Sequence, residues 1–400
     1  MANILVISEK YWPEGGGAEL ATHLIVKYLS EDGFKVIVLT GTPHPHRIRG
    51  VDYIHSPLLN YTRKVQLWAN TLLLGKNAKF KRLIDNIDIV YMPGIAYPLL
   101  NFIQDKKIIV HLHNYQPIQY LQFIPAPYES YERLIGSFLL DYYMGKLEYE
   151  KRIYGLIAAS LALLNRVNKL IVMKAALIIC PSRRQANILA LKMPEVSERI
   201  IVVPNPPPPI TLTQYYNSKK YQTPTLVYVG GRSQIKGFKL AWKVVKNLSR
   251  EIELNAHLLG VIKKSGNGVL MKDKGRIYLH PRIPYSEALD IVSRSWILLF
   301  TSITEEPFPY VVLEALFSGT LPITTNVGGV PEILESIDAH HYIVKSFNVE
   351  DIVQKSKEVL SLPFEVFVEI SKLIVAQIKE KYSWKSIKEQ YVNIFKRVDL

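Results

Sequence analysis

The sequence predicts an α/β protein made of two Rossmann-like domains, and three observations carry that prediction. The chain has 400 residues, a length that suits two domains of ordinary size. Residues 296–300 form a continuous apolar run, short enough to be a strand buried on both faces of a parallel sheet, and a helix pattern and a second strand pattern follow at residues 309–318 and 321–325. Three glycines at residues 15–17 separate the first strand from the first helix, where a Rossmann-like domain holds a phosphate. A plain tight turn is the alternative explanation of these glycines.

Composition places the chain among globular proteins, because 48% of its residues are hydrophobic and 21% are charged. The single cysteine, Cys180, lies in an apolar run, cannot form an intrachain disulfide and fits a core position in a reducing compartment. The first residues have the pattern of a strand rather than of a signal peptide. The most apolar helical segment, residues 153–164, is too short to cross a bilayer, so we expect a soluble or peripheral protein.

The formal net charge of +14 and the pI of about 9.4 favour acidic partners, which include nucleic acid, anionic lipid and phosphorylated small molecules. The sequence contains no recognisable RNA- or DNA-binding motif, so no nucleic acid is expected. A basic protein that binds nucleic acid or an anionic surface is nevertheless the alternative to an enzyme. Residues 61–84 combine basic and apolar side chains, and they form either a helix that covers the sheet or one that lies on an anionic membrane surface.

Two histidines, His111 and His113, occur at the end of one strand of the first domain. The predicted strands lie at residues 3–7, 35–39, 88–92 and 107–112. Alternate side chains of a strand share a face, so His111 and His113 are expected on the same side. Ligands of such sheets bind at the carboxyl ends of the strands, and His113 lies nearer to that end.

Four consecutive prolines at residues 206–209 form a stiff, extended segment that suits an interdomain linker. The expected organisation is therefore a first domain at residues 1–205, a second domain at residues 206–380 and a final helix at residues 381–400.

The second domain carries cations and carboxylates where a phosphorylated ligand would bind. A glycine loop at residues 230–237 follows a strand pattern and holds Arg232 and Lys236, which suit a pyrophosphate. Glu306 lies in the loop after the strand predicted at residues 296–300, and Glu314 lies in a helix among apolar neighbours. A buried carboxylate needs a donor, and the neighbouring hydroxyls of a ribose supply one. The alternative is that Glu314 lies on the solvated side of its helix.

This region resembles the C-terminal signature of the family-4, or group 1, retaining glycosyltransferases, which have the GT-B fold of two Rossmann-like domains facing across a cleft. The signature is a glutamate, seven residues, a second glutamate, a helix of small residues and a Gly-Gly-x-x-Glu loop. The matching positions are Glu306, Pro307, Phe308, Glu314, Ala315, Gly319, Pro322, Gly328, Gly329 and Glu332. Pro309 is a departure, because many members have a glycine there whose amide is free for a phosphate, whereas proline has none.

The resemblance implies a nucleotide-sugar donor in the cleft. The cations of the glycine loop and the helix amides after Phe308 are expected on the diphosphate, Glu314 on the ribose, and Glu306 and His113 on the sugar. The catalytic residues implied are His113, Glu306, Arg232 and Lys236. The donor-binding residues implied are Gly16, Gly17, Arg232, Lys236, Arg282, Ile283, Glu306, Phe308, Tyr310, Val311 and Glu314.

The resemblance also implies the partners. The donor is expected to be UDP- or GDP-linked, and no cofactor or metal is expected, because the sequence has no Asp-x-Asp motif and fixed positive charge can replace an ion. Residues 117–174, rich in tyrosine and leucine, are expected to be helices that bind a glycan or lipid-linked acceptor or that only pack. The final helix is expected to cross back onto the first domain. The expected location is the cytoplasm, with peripheral binding to the inner face of a membrane as the alternative to a freely soluble enzyme. Another GT-B enzyme, such as an epimerase or a phosphorylase, is the alternative chemistry.

Overall fold

The computed structural model, which describes residues 2–208, 220–263, 268–272 and 274–399, contains two seven-stranded sheets covered by helices. The first sheet consists of β1 Asn3–Ser8, β2 Lys35–Thr40, β3 Val51–His55, β4 Ile89–Met92, β5 Lys107–His111, β6 Leu177–Cys180 and β7 Ile200–Val202. All its pairs are parallel, and the strand order is β3-β2-β1-β4-β5-β6-β7. Its helices are α1 Gly17–Glu31, α2 Lys64–Lys76, α3 Ala78–Asp85, α4 Tyr128–Tyr149, α5 Arg152–Leu161, α6 Leu164–Val172 and α7 Arg183–Lys192.

The second sheet consists of β8 Thr225–Val229, β9 Asn255–Leu259, β10 Gly268–Lys272, β11 Gly275–Leu279, β12 Ile297–Phe300, β13 Leu321–Thr325 and β14 Ile343–Val344. The strand order is β10-β11-β9-β8-β12-β13-β14, and the β10–β11 pair alone among these pairs is antiparallel. Its helices are α8 Phe238–Glu251, α9 Tyr285–Arg294, α10 Tyr310–Phe317, α11 Val330–Glu335, α12 Val349–Leu360 and α13 Phe364–Lys381, and α14 Trp384–Asp399 follows them in the chain. Short 3-10 turns occur at Pro57–Leu59, Tyr97–Phe102, Pro194–Arg199 and His340–Tyr342.

Both faces of the first sheet are buried. Along β1, Ile4 and Val6 join one apolar cluster, whereas Leu5 and Ile7 join a second cluster on the opposite side. This alternation is the geometry of a pleated strand between two helical layers. The predicted α/β fold of two Rossmann-like domains is therefore confirmed.

Helix α14, the last in the chain, packs against the first sheet and α1. The ammonium of Lys388 lies 2.7 Å from the carboxylate of Glu31, and the hydroxyl of Tyr391 donates to the carbonyl oxygen of Pro204 at 3.2 Å. Tyr391 and Phe395 are fully buried. Residues at the end of the chain thus complete the core of the first domain.

The single helix predicted at residues 61–84 is wrong, because the structure has α2 and α3 there. The side chain of Asn77 accepts a hydrogen bond from the backbone N–H of Lys79 at 2.8 Å, and Asn77 itself has an extended backbone. Asparagine in this position starts a helix, so it interrupts the longer one. Strand β3 was not predicted because its residues are half-buried or exposed and lack an apolar run.

Within the described residues, no single helix is long and apolar enough to cross a bilayer. Helices α5 and α6 meet the length and hydropathy test only when they are taken together, and they are bent by 47° relative to each other.

Candidate active site

A cleft of about 600 Å³ lies between the two domains. The first domain contributes the loop after β1, with Trp12, Gly16 and Gly17, and the loop after β5, with His113. From the second domain, the predicted residues that line the cleft are Lys236, Arg282, Ile283, Glu306, Phe308, Tyr310, Val311 and Glu314. The two parallel sheets therefore bring nearly all of the predicted site residues to one place.

Lys236 and Glu306 form an ion pair at the centre of this set. The Nζ atom of Lys236 lies 2.6 Å from Oε1 of Glu306, and the Glu306 side chain is 13% exposed. The hydroxyl of Ser302 donates to the same carboxylate oxygen at 3.0 Å. The lysine side chain, which is 41% exposed, retains a solvent-facing surface toward the cleft. One cation and one carboxylate are thus held close together where a ligand enters.

The Gly-Gly loop after β13 supports the backbone of Glu306. Gly328 has a left-handed φ of 54°, and a Cβ atom there would collide with the backbone of Glu306. The N–H of Gly329 donates to the carbonyl oxygen of Glu306 at 2.8 Å. A larger residue at position 328 would therefore move the carboxylate that faces the cleft.

Glu314 lies on α10 and is 8% exposed. The hydroxyl of Tyr285 donates to its Oε1 atom at 2.7 Å, and the Tyr285 ring makes an edge contact with Trp12 of the first domain at 5.2 Å between centroids. Burial raises the pKa of Glu314 to about 7, and the hydrogen bond from Tyr285 partly opposes that rise. The protein therefore supplies one donor to this buried carboxylate, and the tyrosine was not identified from the sequence.

His113 lies beyond the end of β5 and stacks near His111, with ring centroids 4.1 Å apart. Burial lowers the pKa of His113 to about 4, so the imidazole is neutral near pH 7. Within the described part of the chain, the Nε2 atom of His113 and the Oδ1 atom of Asn205 are buried without a hydrogen-bond partner. Both residues line the cleft, so both atoms are available to a bound ligand.

The N-terminus of α10 points its first amides at the cleft. Pro309 is the residue before the helix, with a φ of −74°, and α10 begins at Tyr310. The first amides of a helix have no acceptor within it, so those of Tyr310 and Val311 can bind an anion. The hydroxyl of Tyr310 donates to the carbonyl oxygen of Pro206 at 2.7 Å, which fixes the ring between the domains.

Arg232 is the one predicted site residue that does not line the cleft. Its side chain is exposed, and its Nε atom donates to the carbonyl oxygen of Val261 at 2.6 Å. The loop at residues 230–237 therefore presents Lys236 to the cleft while the guanidinium of Arg232 lies on the neighbouring loop after β9.

A polar network that the sequence did not reveal joins the domains beside the cleft. The guanidinium of Arg184 bonds to Glu129 at 2.7 and 2.8 Å and to Glu305, and the Glu305 carboxylate also accepts from the N–H of Gly328 at 2.8 Å. A main-chain hydrogen bond also joins the two domains here: the N–H of Ala126 donates to the carbonyl oxygen of Ile303 at 3.0 Å. The only sequence feature that could have pointed to this network is the pair of adjacent glutamates at residues 305–306.

The described residues contain no group of three or more histidine, cysteine, aspartate or glutamate side chains placed to hold a metal ion.

Two family profiles match the chain, one in each half. The profile of Glycosyltransferase Family 4 matches residues 15–207, and that of Glycosyl transferases group 1 matches residues 216–373. One subunit of the Homo sapiens phosphatidylinositol N-acetylglucosaminyltransferase is 22% identical over 413 residues, which cover 100% of this chain and 76% of the human protein.

Solved structures agree on the fold. Sucrose-phosphate synthase from Thermosynechococcus elongatus superposes with a TM-score of 0.70 at 15% identity, over 100% of this chain and 99% of its own. Anabaena HepE in complex with UDP and glucose superposes with a TM-score of 0.65 at 14% identity, over 99% of this chain and 100% of its own. The fold and the matches define the class of protein as a glycosyltransferase enzyme with the GT-B fold. Within that class, the chain belongs to the group 1 glycosyltransferases.

Proposed function

We propose that this enzyme transfers a hexose from a UDP- or GDP-linked sugar to a glycan or lipid-linked glycan, with retention of anomeric configuration and without a metal ion. The observation that carries the proposal is the Lys236–Glu306 ion pair, which lies in the same interdomain cleft as the buried carboxylate of Glu314. Such a donor requires a cation for its diphosphate, one carboxylate for its sugar and a second carboxylate for its ribose.

Cleavage of the donor leaves negative charge on the diphosphate. In the proposed mechanism, Lys236 and the amides of Tyr310 and Val311 stabilise that charge, and Arg232 joins them when its side chain leaves the carbonyl oxygen of Val261. A side chain that is exposed, as that of Arg232 is, makes this movement without breaking a core contact. Fixed charge then performs the role that a metal ion performs in other transferases.

The remaining polar groups orient the two sugars of the donor. Glu314 accepts from the ribose hydroxyls with the oxygen that Tyr285 leaves free, and Glu306 and the neutral His113 bind the hexose. Arg282 and Ile283, which line the cleft, contact the nucleobase in this proposal, and Gly16 and Gly17 approach the sugar and phosphate from the first domain. The acceptor hydroxyl attacks from the face that the diphosphate leaves, so Glu306 positions the sugar and is not a nucleophile.

The acceptor proposal draws on a relative. The name of the human protein includes phosphatidylinositol, a lipid, and that name supports a lipid-linked acceptor and a peripheral, cytoplasmic location at the inner face of a membrane. The helices of residues 128–172 lie in the first domain, which faces the acceptor in this proposal.

The experiment is a mass-spectrometric screen of nucleotide sugars for hydrolysis and transfer, with and without a chelator. We expect one UDP- or GDP-sugar to be consumed, its turnover to be unaffected by the chelator, and micromolar UDP or GDP to raise the melting temperature more than oligonucleotides do. A Glu314→Ala variant that folds should be inactive. Strict dependence on a divalent ion, or full activity of a Lys236→Ala/Glu314→Ala double variant, would contradict the mechanism.

A further inference from the structure

Helices α4, α5 and α6 and the residues that join them expose large apolar side chains. These side chains, here called the apolar face, are Phe138, Leu156, Ile157, Leu163, Val167 and Leu170, and each is between 44% and 63% exposed. A groove of about 610 Å³ runs between α4 and α5, and its lining is almost entirely apolar. Patches of this kind on a folded protein mark an interaction surface, because single exposed apolar residues are common but groups of them are not.

The opposite sides of these helices pack into the protein. Gly155, Ala158 and Ala159 of α5 are buried, and so are Ile171 and Val172 of α6. Close packing of α5 on α4 explains the glycine, because a Cβ atom at Gly155 would meet Tyr142. Each helix therefore lies along the surface of the first domain with one side inward and the apolar face outward, as a helix at a membrane interface does.

The charges along α5 and α6 all have one sign. Residues 151–174 contain five basic side chains, Lys151, Arg152, Arg166, Lys169 and Lys174, and no acidic one. The two acidic residues just before this segment are engaged elsewhere, because Glu148 accepts hydrogen bonds from Ser233 and Ile235, and Glu150 lies 2.6 Å from Lys239. Lys169 is half-buried and lies 3.5 Å from the carboxylate of Glu195, whereas the other four cations are exposed. These two helices therefore expose apolar side chains and four cations.

We propose that the apolar face docks on an anionic phospholipid bilayer. Apolar side chains enter the boundary between headgroups and acyl chains, and the cations contact the phosphates around them. A second copy of this chain fits the same surface poorly, since a symmetric contact would bring together two sets of the four exposed cations Lys151, Arg152, Arg166 and Lys174. The surface differs from residues 61–84, for which the sequence left open a helix that covers the sheet or one that lies on an anionic membrane. In the structure, Leu72 and Leu73 of α2 are exposed there.

The docking proposal is independent of the proposed transferase function, because binding to vesicles is measured without any enzymatic turnover. The end of α4 contacts the loop of residues 233–239 next to the cleft through Glu148 and Glu150. Helix α4 therefore connects the proposed bilayer surface with the loop that carries Lys236.

The test is co-sedimentation of the full chain with vesicles of phosphatidylcholine alone or mixed with phosphatidylglycerol. We expect binding to the mixed vesicles, little binding to the neutral ones, and release by high salt, because salt screens the attraction between cations and phosphates. Leu156→Glu/Leu163→Glu should lower the partition coefficient at least about 10-fold, since two charges would enter an apolar boundary. The matched control, Leu72→Glu/Leu73→Glu on α2, should bind as the wild type does.

A second measurement needs no variant. Hydrogen exchange of the wild type should slow in residues 151–174 when mixed vesicles are added and not in residues 64–85. The proposal is overturned if the wild type ignores both kinds of vesicle, if only the α2 variant loses binding, or if sedimentation equilibrium shows a dimer that Leu156→Glu dissociates. The rate of donor hydrolysis by the Leu156→Glu/Leu163→Glu variant should equal that of the wild type. A loss of vesicle binding at an unchanged hydrolysis rate therefore tests docking apart from the transferase proposal.

Discussion

The carboxylate of Glu332 on α11 accepts a hydrogen bond from the backbone N–H of Arg184 at 2.7 Å, across the boundary between the domains. A second bond, from the N–H of Arg183, measures 2.8 Å. Both amides belong to the first turn of α7, where a helix has unpaired donors and a partial positive charge. The glutamate of the Gly-Gly-x-x-Glu loop therefore caps a helix of the opposite domain and joins the two domains.

Loss of this cap should open the molecule. We expect Glu332→Ala to lower the free energy of unfolding by about 1–2 kcal/mol, because it removes two charge-assisted hydrogen bonds at a helix end. The radius of gyration in small-angle scattering should also increase. The control is Ser182→Ala, which removes the other cap of α7, a hydrogen bond from the N–H of Gln185 at 3.3 Å within the same domain. Ser182→Ala should lower the free energy of unfolding while the radius of gyration stays constant. An equal change of the radius of gyration in both variants would contradict the role of Glu332 between the domains.

The two glycines of the loop after β1 should respond differently to a methyl group. A Cβ atom at Gly17 would lie 2.9 Å from the ring of Tyr310, which is pinned by its hydrogen bond to Pro206, whereas a Cβ atom at Gly16 meets nothing within 4 Å. Gly17→Ala should therefore lower both the melting temperature and the affinity for the donor. Gly16→Ala should leave the melting temperature unchanged and weaken donor binding alone, since its methyl group enters the cleft. Thermal melting with and without UDP or GDP distinguishes these outcomes.

Removal of the cation in the cleft should affect transfer and not stability. Lys236→Ala should lower kcat/KM by about 100- to 1,000-fold, the usual effect of losing one group that stabilises transition-state charge. Arg232→Ala should weaken donor binding if the guanidinium reaches the diphosphate as proposed. Lys239→Ala is the control, because Lys239 is an exposed lysine on the same segment that pairs with Glu150. Transfer rates that are alike in all three variants would contradict the assignment of Lys236.

The pH dependence of donor binding should follow Glu314. Burial raises the pKa of its carboxyl to about 7, so the group gains charge between pH 6 and 8. A charged carboxylate accepts from ribose hydroxyls more strongly than a neutral one, and donor affinity should therefore rise about three- to tenfold over that range. Glu314→Gln should make the affinity independent of pH. Isothermal titration at several pH values measures this dependence.

Stability should change with pH in the opposite direction. Glu9, buried beside the N–H of Ile95, also has a pKa raised to about 7, above its ordinary value of 4.5. A group whose pKa is higher in the folded state stabilises the fold fully below its unfolded pKa and loses that contribution as pH rises through the folded value. Between pH 5 and 8 the wild type should lose about 2–3 kcal/mol of unfolding free energy from this residue, so Glu9→Gln should lose about 2–3 kcal/mol less than the wild type, with the contribution of Glu314 remaining in both. Because Glu9 does not line the cleft, donor affinity should depend on pH in Glu9→Gln as it does in the wild type. If that pH dependence disappears in Glu9→Gln, Glu314 is not the titrating group.

The sequence predicts those parts of the site that lie within one strand, loop and helix. Lys236, Glu306 and Glu314 follow buried strands at fixed spacing, so their approach to the cleft follows from the parallel sheet. Tyr285 and Asn205 come from distant segments, and no local pattern marks the contacts that place them in the cleft.

Long-range contacts also explain the other omissions. Arg184 meets Glu305 only after the domains have come together, and neither residue is unusual in its own segment. Strand β3 has an edge position and exposed or half-buried side chains, and β14 has only two residues, Ile343–Val344, so neither has the apolar run by which a buried strand is recognised. The break at Asn77 shows that a single capping side chain can divide a helix whose apolar spacing continues.

The packing of α14 also affects the order of events during synthesis. Tyr391 and Phe395 belong to the same buried cluster as Ile4 and Val6, although nearly the whole chain separates them. A nascent polypeptide on the ribosome can pair the strands of its first half early, but that half keeps an uncovered apolar surface until residues 384–399 have emerged. The helix that covers the first domain is therefore synthesised last. Premature termination anywhere before Trp384 would leave an exposed apolar surface, which chaperones and proteases recognise.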